Sequence, residues 1–400
     1  MLASVDTVFS VLDSSFSIGA EIFFRQFIRR SRAVKWMIGA DFVINETSAA
    51  HDAFAFTVFP HYTDFTSTQD EIDRVFPRDI KGTQSITDDM LDYLRDPKRF
   101  HFCFLAQKNR HERDSVQQVR TTIDRAIATI RGLGTEGVPG GEERRAGYLR
   151  AFRNLRQEAN ANNFNYRLLS DIGILGMLAA AVMFWIVRHG NAVAFGVFPD
   201  RDKMTVGYNS VFNDMAFINF SSLCQRSGIS EKRDILMPAP ALLRGQELFY
   251  DPLVRIPDYV AGAISRLDYQ ARVVTSEHKK HGDLVEKFVS DNTNLAIMQM
   301  TESIVGMRAA NISLWSHSDQ QLRLSHMDRD QIVEYLAAKS SGFRQGRHRS
   351  YRDSLLDNVN NMERTIYWLE VLMKGVAAGD PGSVATFRNM QPGDPQASGL

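Results

Sequence analysis

Apolar residues along this chain change period from one segment to the next, and the changes mark out its elements. Ile18 to Arg30 has helical spacing, with Phe23, Phe24, Phe27 and Ile28 on one face and Arg25, Arg29 and Arg30 opposite. Its apolar face is short, which suits a helix docked on a domain edge better than one lying on a membrane. The period then falls towards two. Lys35 to Ile44, Ala53 to Phe59 and Phe100 to Ala106 read as strands rich in aromatic and β-branched residues, the second ended by Pro60. Three such strands with modest connections predict an antiparallel meander, with a helical stretch from Ile86 to Leu94 before the third.

Helical spacing returns in Ser115 to Ile130, in the charged segment Glu142 to Arg156 and in Asn165 to Val187. A fourth strand, Val193 to Phe198, follows and stops at Pro199. Val206 to Leu223 reads as helix, Gln246 to Tyr250 as a short strand, and Arg255 to Leu267 as a helix starting at Pro257 and Asp258. The order β-β-β-α-β-α-β-α is that of an RNase H-like mixed sheet in an α/β fold. Beyond Glu277, Leu284 to Ile312, Arg329 to Ala338 and Tyr351 to Val376 read as helices, with Met298, Met300 and Met307 as core filling. The expected organisation is an N-terminal amphipathic helical segment (1–32), an RNase H-like domain (33–275), a C-terminal helical appendage (276–376) and a disordered tail (377–400).

Composition narrows this picture in only a few ways. The chain has 400 residues, long enough for two domains, with 47 basic and 47 acidic residues. Net neutrality means that any nucleic-acid partner must be met by a local basic patch. Cys103 and Cys224 sit in apolar patterns without a C-x-x-C, which argues against a zinc ribbon or a disulfide framework and suits a reducing, cytoplasmic compartment. No secretory leader pattern opens the chain. Ile172 to Val187 is an apolar run of about 24 Å as a helix, short for a bilayer, so it reads as a buried core helix and no membrane is expected.

Candidate chemistry gathers where the fourth strand ends. Asp200 and Asp202 flank Arg201 at the mouth of a buried strand, where a rigid element could present hard oxygen ligands to a divalent cation. The same D-R-D-K also reads as an ordinary polar turn. G-L-G-T-E-G, from Gly132, matches a dinucleotide fingerprint formally, but a helix precedes it and V-P-G follows, which leaves a nucleotide-dependent enzyme as the weakest reading. His278 and His281 lack i, i+4 spacing and a glutamate, and read as a solvated helix face. No G-x-S-x-G, P-loop or H-E-x-x-H is present.

Five short pieces together resemble a family of predicted nucleases with an RNase H-like core, the domain of unknown function thirty-eight hundred. They are Asp41 in the first strand, the second strand ending F-P at Pro60, D-I-K-G-T from Asp79 to Thr83, V-F-P-D-R-D from Val197 to Asp202, and I-P-D-Y-V-A-G-A-I from Ile256 to Ile264. The resemblance covers about residues 35 to 270. It implies that Asp41, Asp200 and Asp258 are core carboxylates holding Mg²⁺ or Mn²⁺, with Asp202 as a neighbour and Lys81 near the site. The first strand departs from the family's D-E-S-G, reading G-A-D-F-V-I-N-E, so Glu46 or Glu112 would have to supply a further acid.

The function this implies is metal-dependent hydrolysis of RNA or DNA, because two cations roughly 3.5 to 4 Å apart can stabilise both the attacking and the leaving oxygen of a phosphodiester. Arg344, Arg347, Arg349 and Arg352, with His348, form the densest basic cluster and the expected nucleic-acid contact, beside Phe343 and Tyr351. The competing reading is a catalytically inactive RNase H-like scaffold that meets a protein partner or a second copy of itself through the C-terminal helices. The altered first-strand motif favours it.

Overall fold

The computed structural model describes residues 5–314 except 63, 109, 111–115, 134–140, 231–232, 239–247, 270, 272 and 304–305. The expected helices at 329–338 and 351–376, the tail, the arginine cluster at 344–352, Glu112 and most of G-L-G-T-E-G lie outside the described residues.

The strands are β1 (Lys35–Val43), β2 (Asp52–Pro60), β3 (Phe100–Ala106), β4 (Ala194–Pro199), β5 (Asp234–Leu236), β6 (Leu267–Asp268), β7 (Val273–Val274), β8 (Leu295–Ser303) and β9 (Gly306–Ile312). Among the described residues, seven of them form one mixed sheet in the order β5-β4-β1-β2-β3-β8-β9, and β6 pairs with β7 apart from it. Strands β1, β2 and β3 form the expected antiparallel meander. Strand β4 lies parallel to β1, and β5 parallel to β4. On the far side β8 runs parallel to β3 and pairs with β9.

The helices are α1 (Val5–Gly19), α2 (Glu21–Ser31), α3 (Phe65–Val75), α4 (Asp88–Arg95), α5 (Val116–Gly132), α6 (Gly141–Glu158), α7 (Tyr166–His189), α8 (Lys203–Arg226), α9 (Asp251–Ile264) and α10 (Lys279–Leu284). They cover the sheet on both faces, which is why its central strands are apolar at nearly all positions rather than at alternate ones. Phe54, Phe56 and Val58 of β2 enter a core shared with α1, α2, α7 and α8. Ala53, Ala55 and Phe59 face the other way, into a core shared with α3, α4 and α9.

Several expectations are corrected. Residues 248–250 are not a strand but a coil and turn before α9, and the parallel edge strand is the earlier Asp234–Leu236. The segment 284–312 is not helical: after α10 and one π turn (Val285–Val289) it forms β8 and β9, which extend the main sheet. The main sheet accordingly runs on to Ile312, past the division expected after residue 275. Met298 and Met300 fill core as expected, from strands rather than a helix. The run Ile18 to Arg30 breaks at Ala20 into α1 and α2. Helix α9 starts at Asp251 and carries Pro257 inside it, not at its start.

Helix α7 spans 24 residues, so length alone does not separate it from a membrane span. Its burial sets it apart, 89% of its most apolar window being covered by the rest of the chain. Trp185 stacks on Phe16 at 4.2 Å and donates to Asp13 Oδ1 at 2.8 Å, pinning α1 against α7. Helix α8 runs parallel along α7, Gly207 near Leu168 and Ile172 and Met215 near Gly176, after a sharp break at its start. Gly207 leaves helical geometry and Tyr208, Asn209 and Ser210 follow with φ of 49°, 57° and 59°, a left-handed run rare for residues with a Cβ.

Candidate functional site

The register of the sheet brings the first two acids together. Ala40 of β1 pairs with Pro199 of β4, so Asp41 and Asp200 occupy the next matched positions on parallel strands. The Asp200 N–H continues this ladder by donating to Ala40 O at 2.8 Å. Asp41 thus sits inside a buried strand, and Asp200 where its neighbour ends.

The third acid comes from α9, which crosses the same face of the sheet. Gly39 makes the crossing possible: a Cβ there would collide with the backbone carbonyl of Leu253. That carbonyl is the one a residue at 257 would bond in a regular helix, and Pro257 has no N–H to give it. Helix α9 therefore lies against β1 with a freed carbonyl towards Gly39, and Asp258 is carried over Asp41. The carboxylate of Asp258 accepts the N–H of Ile80 at 2.7 Å.

Three carboxylates in one buried spot cannot all ionise freely. Burial, then the charges of Asp258 and Asp200, hold the Asp41 carboxyl well above the usual carboxylate range, and Asp41 and Asp258 are hydrogen-bonded to each other. Burial pushes Asp258 up to about 6, against the opposing pull of the Ile80 N–H and of Asp41. Asp200 is raised by burial and by Asp202 and Asp251, while Lys81 works the other way.

Other expected residues take different roles. Asp202 is the N-cap of α8: its carboxylate accepts the Met204 N–H at 2.8 Å while the Thr205 hydroxyl accepts its own N–H at 3.0 Å, a closed capping box. Glu46 pairs with Arg266 and accepts from Ser48. Lys81 is exposed, and its charge reaches both Glu46 and Asp200. His281 departs from the expected solvated face. It is 3% exposed, with its pKa lowered to about 4 by burial and by Arg266, Lys280 and His278.

The support beneath the acids had no sign in the sequence pattern. Lys280 donates from Nζ to Ile80 O at 2.6 Å and to Thr83 O at 2.9 Å, clamping the loop that binds Asp258. Tyr259 reaches the same loop, donating to Arg78 O at 3.1 Å and sharing a hydrogen bond with Thr83.

Among the described residues, no three His, Cys, Asp or Glu side chains are arranged as a ready ligand set. The aspartates instead relieve their repulsion by sharing a proton between Asp41 and Asp258. Their oxygens are nonetheless the hard donors that Mg²⁺ and Mn²⁺ take, and a cation would relieve the same repulsion. No family model, curated protein or solved structure matches this chain.

Proposed function

We propose that this chain is a metal-dependent nuclease of RNase H-like architecture, hydrolysing phosphodiester bonds of RNA or DNA and related to the family catalogued as domain of unknown function thirty-eight hundred. The observation that carries the reading is the convergence of Asp41, Asp200 and Asp258 from two adjacent parallel strands and one crossing helix. The strand order 3-2-1-4-5 within the larger sheet, with the first three antiparallel and β4 and β5 parallel to β1, is the arrangement such a fold requires.

In this reading Asp41, Asp200 and Asp258 hold the cation. A bound divalent ion supplies an activated water and a counter-charge for the oxygens of the phosphodiester in flight. Asp41 and Asp258 give up their shared proton on loading, which ties affinity to pH. The Ile80 N–H keeps Asp258 oriented, and Lys81, whose charge already reaches Asp200, faces an incoming phosphate.

A second reading, an RNase H-like scaffold without activity, is favoured by one observation: two acids expected to complete the site are occupied elsewhere, Glu46 with Arg266 and Asp202 with its helix cap. Thermal unfolding of wild type and Asp200→Asn with and without Mn²⁺ separates the two, because a ligand of the folded state raises its melting temperature. A Mn²⁺-dependent rise lost in the variant, with cleavage of a labelled oligonucleotide by wild type alone, is expected of the nuclease. No shift in either protein sinks it in favour of the scaffold.

A further inference from the structure

A cavity of about 530 Å³ opens past the ends of β1 and β4, between the first turns of α7 and α8 and the chain that follows β1. Its charged lining comprises Lys108, Arg167 and Lys203 against Asp171 and Asp202. The two acids are already engaged. Asp171 is buried and accepts from Arg110 Nη2 at 2.6 Å, and Asp202 caps α8. The cations are less so. Lys108 donates to the carbonyls of Glu46, at 2.6 Å, and Thr47, which carry no formal charge.

The position of two of these cations is costly. Lys203 is the first residue of α8 and Arg167 the second of α7, where the helix dipole favours acids, and neither first turn contains one. The helix ends themselves are capped by Asn165 and Asp202 and offer no vacant cradle. Two exposed cations held against the dipole around one cavity suit an anionic ligand.

The cavity's place decides which anion. Ile44 on its wall follows the strand that bears Asp41, and Asp202 lies two residues beyond Asp200, so the cavity stands at the end of the sheet where these two acids lie, without being lined by them. None of the residues that line it is aromatic, so the lining offers a strand charges rather than stacked rings. We infer that Lys108, Arg167 and Lys203 form a backbone-phosphate subsite that grips one nucleic-acid strand next to its scissile bond, without regard to base sequence. This rests on the nuclease reading and adds where, and by what contacts, the substrate lies.

The test uses the full chain carrying Asp200→Asn, so that bound strands stay uncut. Affinity for fluorescent single-stranded oligonucleotides of two unrelated sequences is measured across a salt series, with Arg167→Ala, Lys203→Ala and the pair added. The expected result is a similar loss of affinity for both sequences and a salt slope shallower by about 0.7 per lost contact. Melting temperature should stay equal or rise slightly, which a merely structural role would not give. Unchanged affinity and slope in the pair overturn the inference, and if wild type still cleaves with Mn²⁺ the nuclease reading survives it. Affinity lost as expected while wild type never cleaves keeps the subsite and removes the nuclease. Binding of inorganic phosphate alone, with no oligonucleotide binding in any protein, overturns the inference in favour of a free-phosphate site.

Discussion

The backbone carbonyl of Leu253 sits so close over Gly39 that no side chain fits between them. This contact sets the height of α9 above β1, and with it the meeting of Asp258 and Asp41. Gly39→Ala must push the helix away or bend the strand, a form of overpacking that costs about 1–3 kcal/mol. Urea denaturation should report that loss. The Asp41–Asp258 hydrogen bond should weaken with it, and with it the raised pKa of the pair, readable by carboxyl carbon NMR. A Gly39→Ala protein with wild-type stability would mean that the helix is not held this close.

The acid cluster should make stability depend on pH with a definite sign. Asp41 and Asp258 are both raised, Asp258 to about 6, so the folded state holds protons that the unfolded chain releases. Their contribution is therefore full below about pH 4 and is lost as pH rises through about 6 and beyond. In chelated buffer Asp41→Asn, which keeps a hydrogen bond to Asp258 without the charge, should melt higher than wild type at pH 8. The gain should be about 1–2 °C for each kcal/mol of repulsion removed, given the size of the unit. It should shrink towards pH 5, and a difference independent of pH would contradict the shared proton.

The parts of the fold that could be read from the chain share a cause. Strands β1 to β4 are apolar and aromatic nearly throughout because both faces of the sheet are covered, and prolines end two of them, so pattern and punctuation agree. The acids Asp41, Asp200 and Asp258 were legible because each stands out against such a run or follows a proline. Strands β8 and β9 were not. L-A-I-M-Q-M-T-E-S is rich in residues that favour helices, and its conformation is decided by pairing with β3, nearly 200 positions away. The three residues of β5 are too few to show any period. The engagement of Glu46 by Arg266 spans 220 positions and has no local signature, which is why a spare acid looked free.

Left-handed geometry at the start of α8 is stored strain that one substitution can relieve. Ser210 has φ 59°, where a Cβ costs roughly 1–2 kcal/mol and glycine pays no such penalty. Allowing for the greater freedom of glycine in the unfolded chain, Ser210→Gly should stabilise by a few tenths to about 1 kcal/mol. Chemical denaturation decides it, and a clear loss of stability would mean that the break in α8 is not held in this conformation.

Arg110 offers a contrasting case, in which charge removal is costly. Its guanidinium joins Asp52 and Asp171, all three side chains no more than 8% exposed, between the start of β2 and the body of α7. Arg110→Met takes the Arg110 charge away from two buried carboxylates, a change worth about 3–5 kcal/mol. Changing both acids to asparagine in the same protein should recover a large part of that loss. If the single variant unfolds at the wild-type urea midpoint, the triad is solvated rather than buried.

Lys280 should matter to the site without touching whatever binds there. Its ammonium holds the carbonyls of Ile80 and Thr83, and the Ile80 N–H in turn holds Asp258. Loss of the clamp lets the loop move, and Asp258, deprived of a bond that favours its charged form, becomes still harder to ionise. Outer partners of this kind typically govern metal affinity by 10–100-fold. Lys280→Ala should therefore raise the Mn²⁺ concentration needed for thermal stabilisation by about that factor, most severely at low pH, where Asp258 is protonated. Lys280→Arg, which can still donate to both carbonyls, should recover part of the affinity. A uniform drop in melting temperature with unchanged Mn²⁺ dependence would reduce Lys280 to a packing residue.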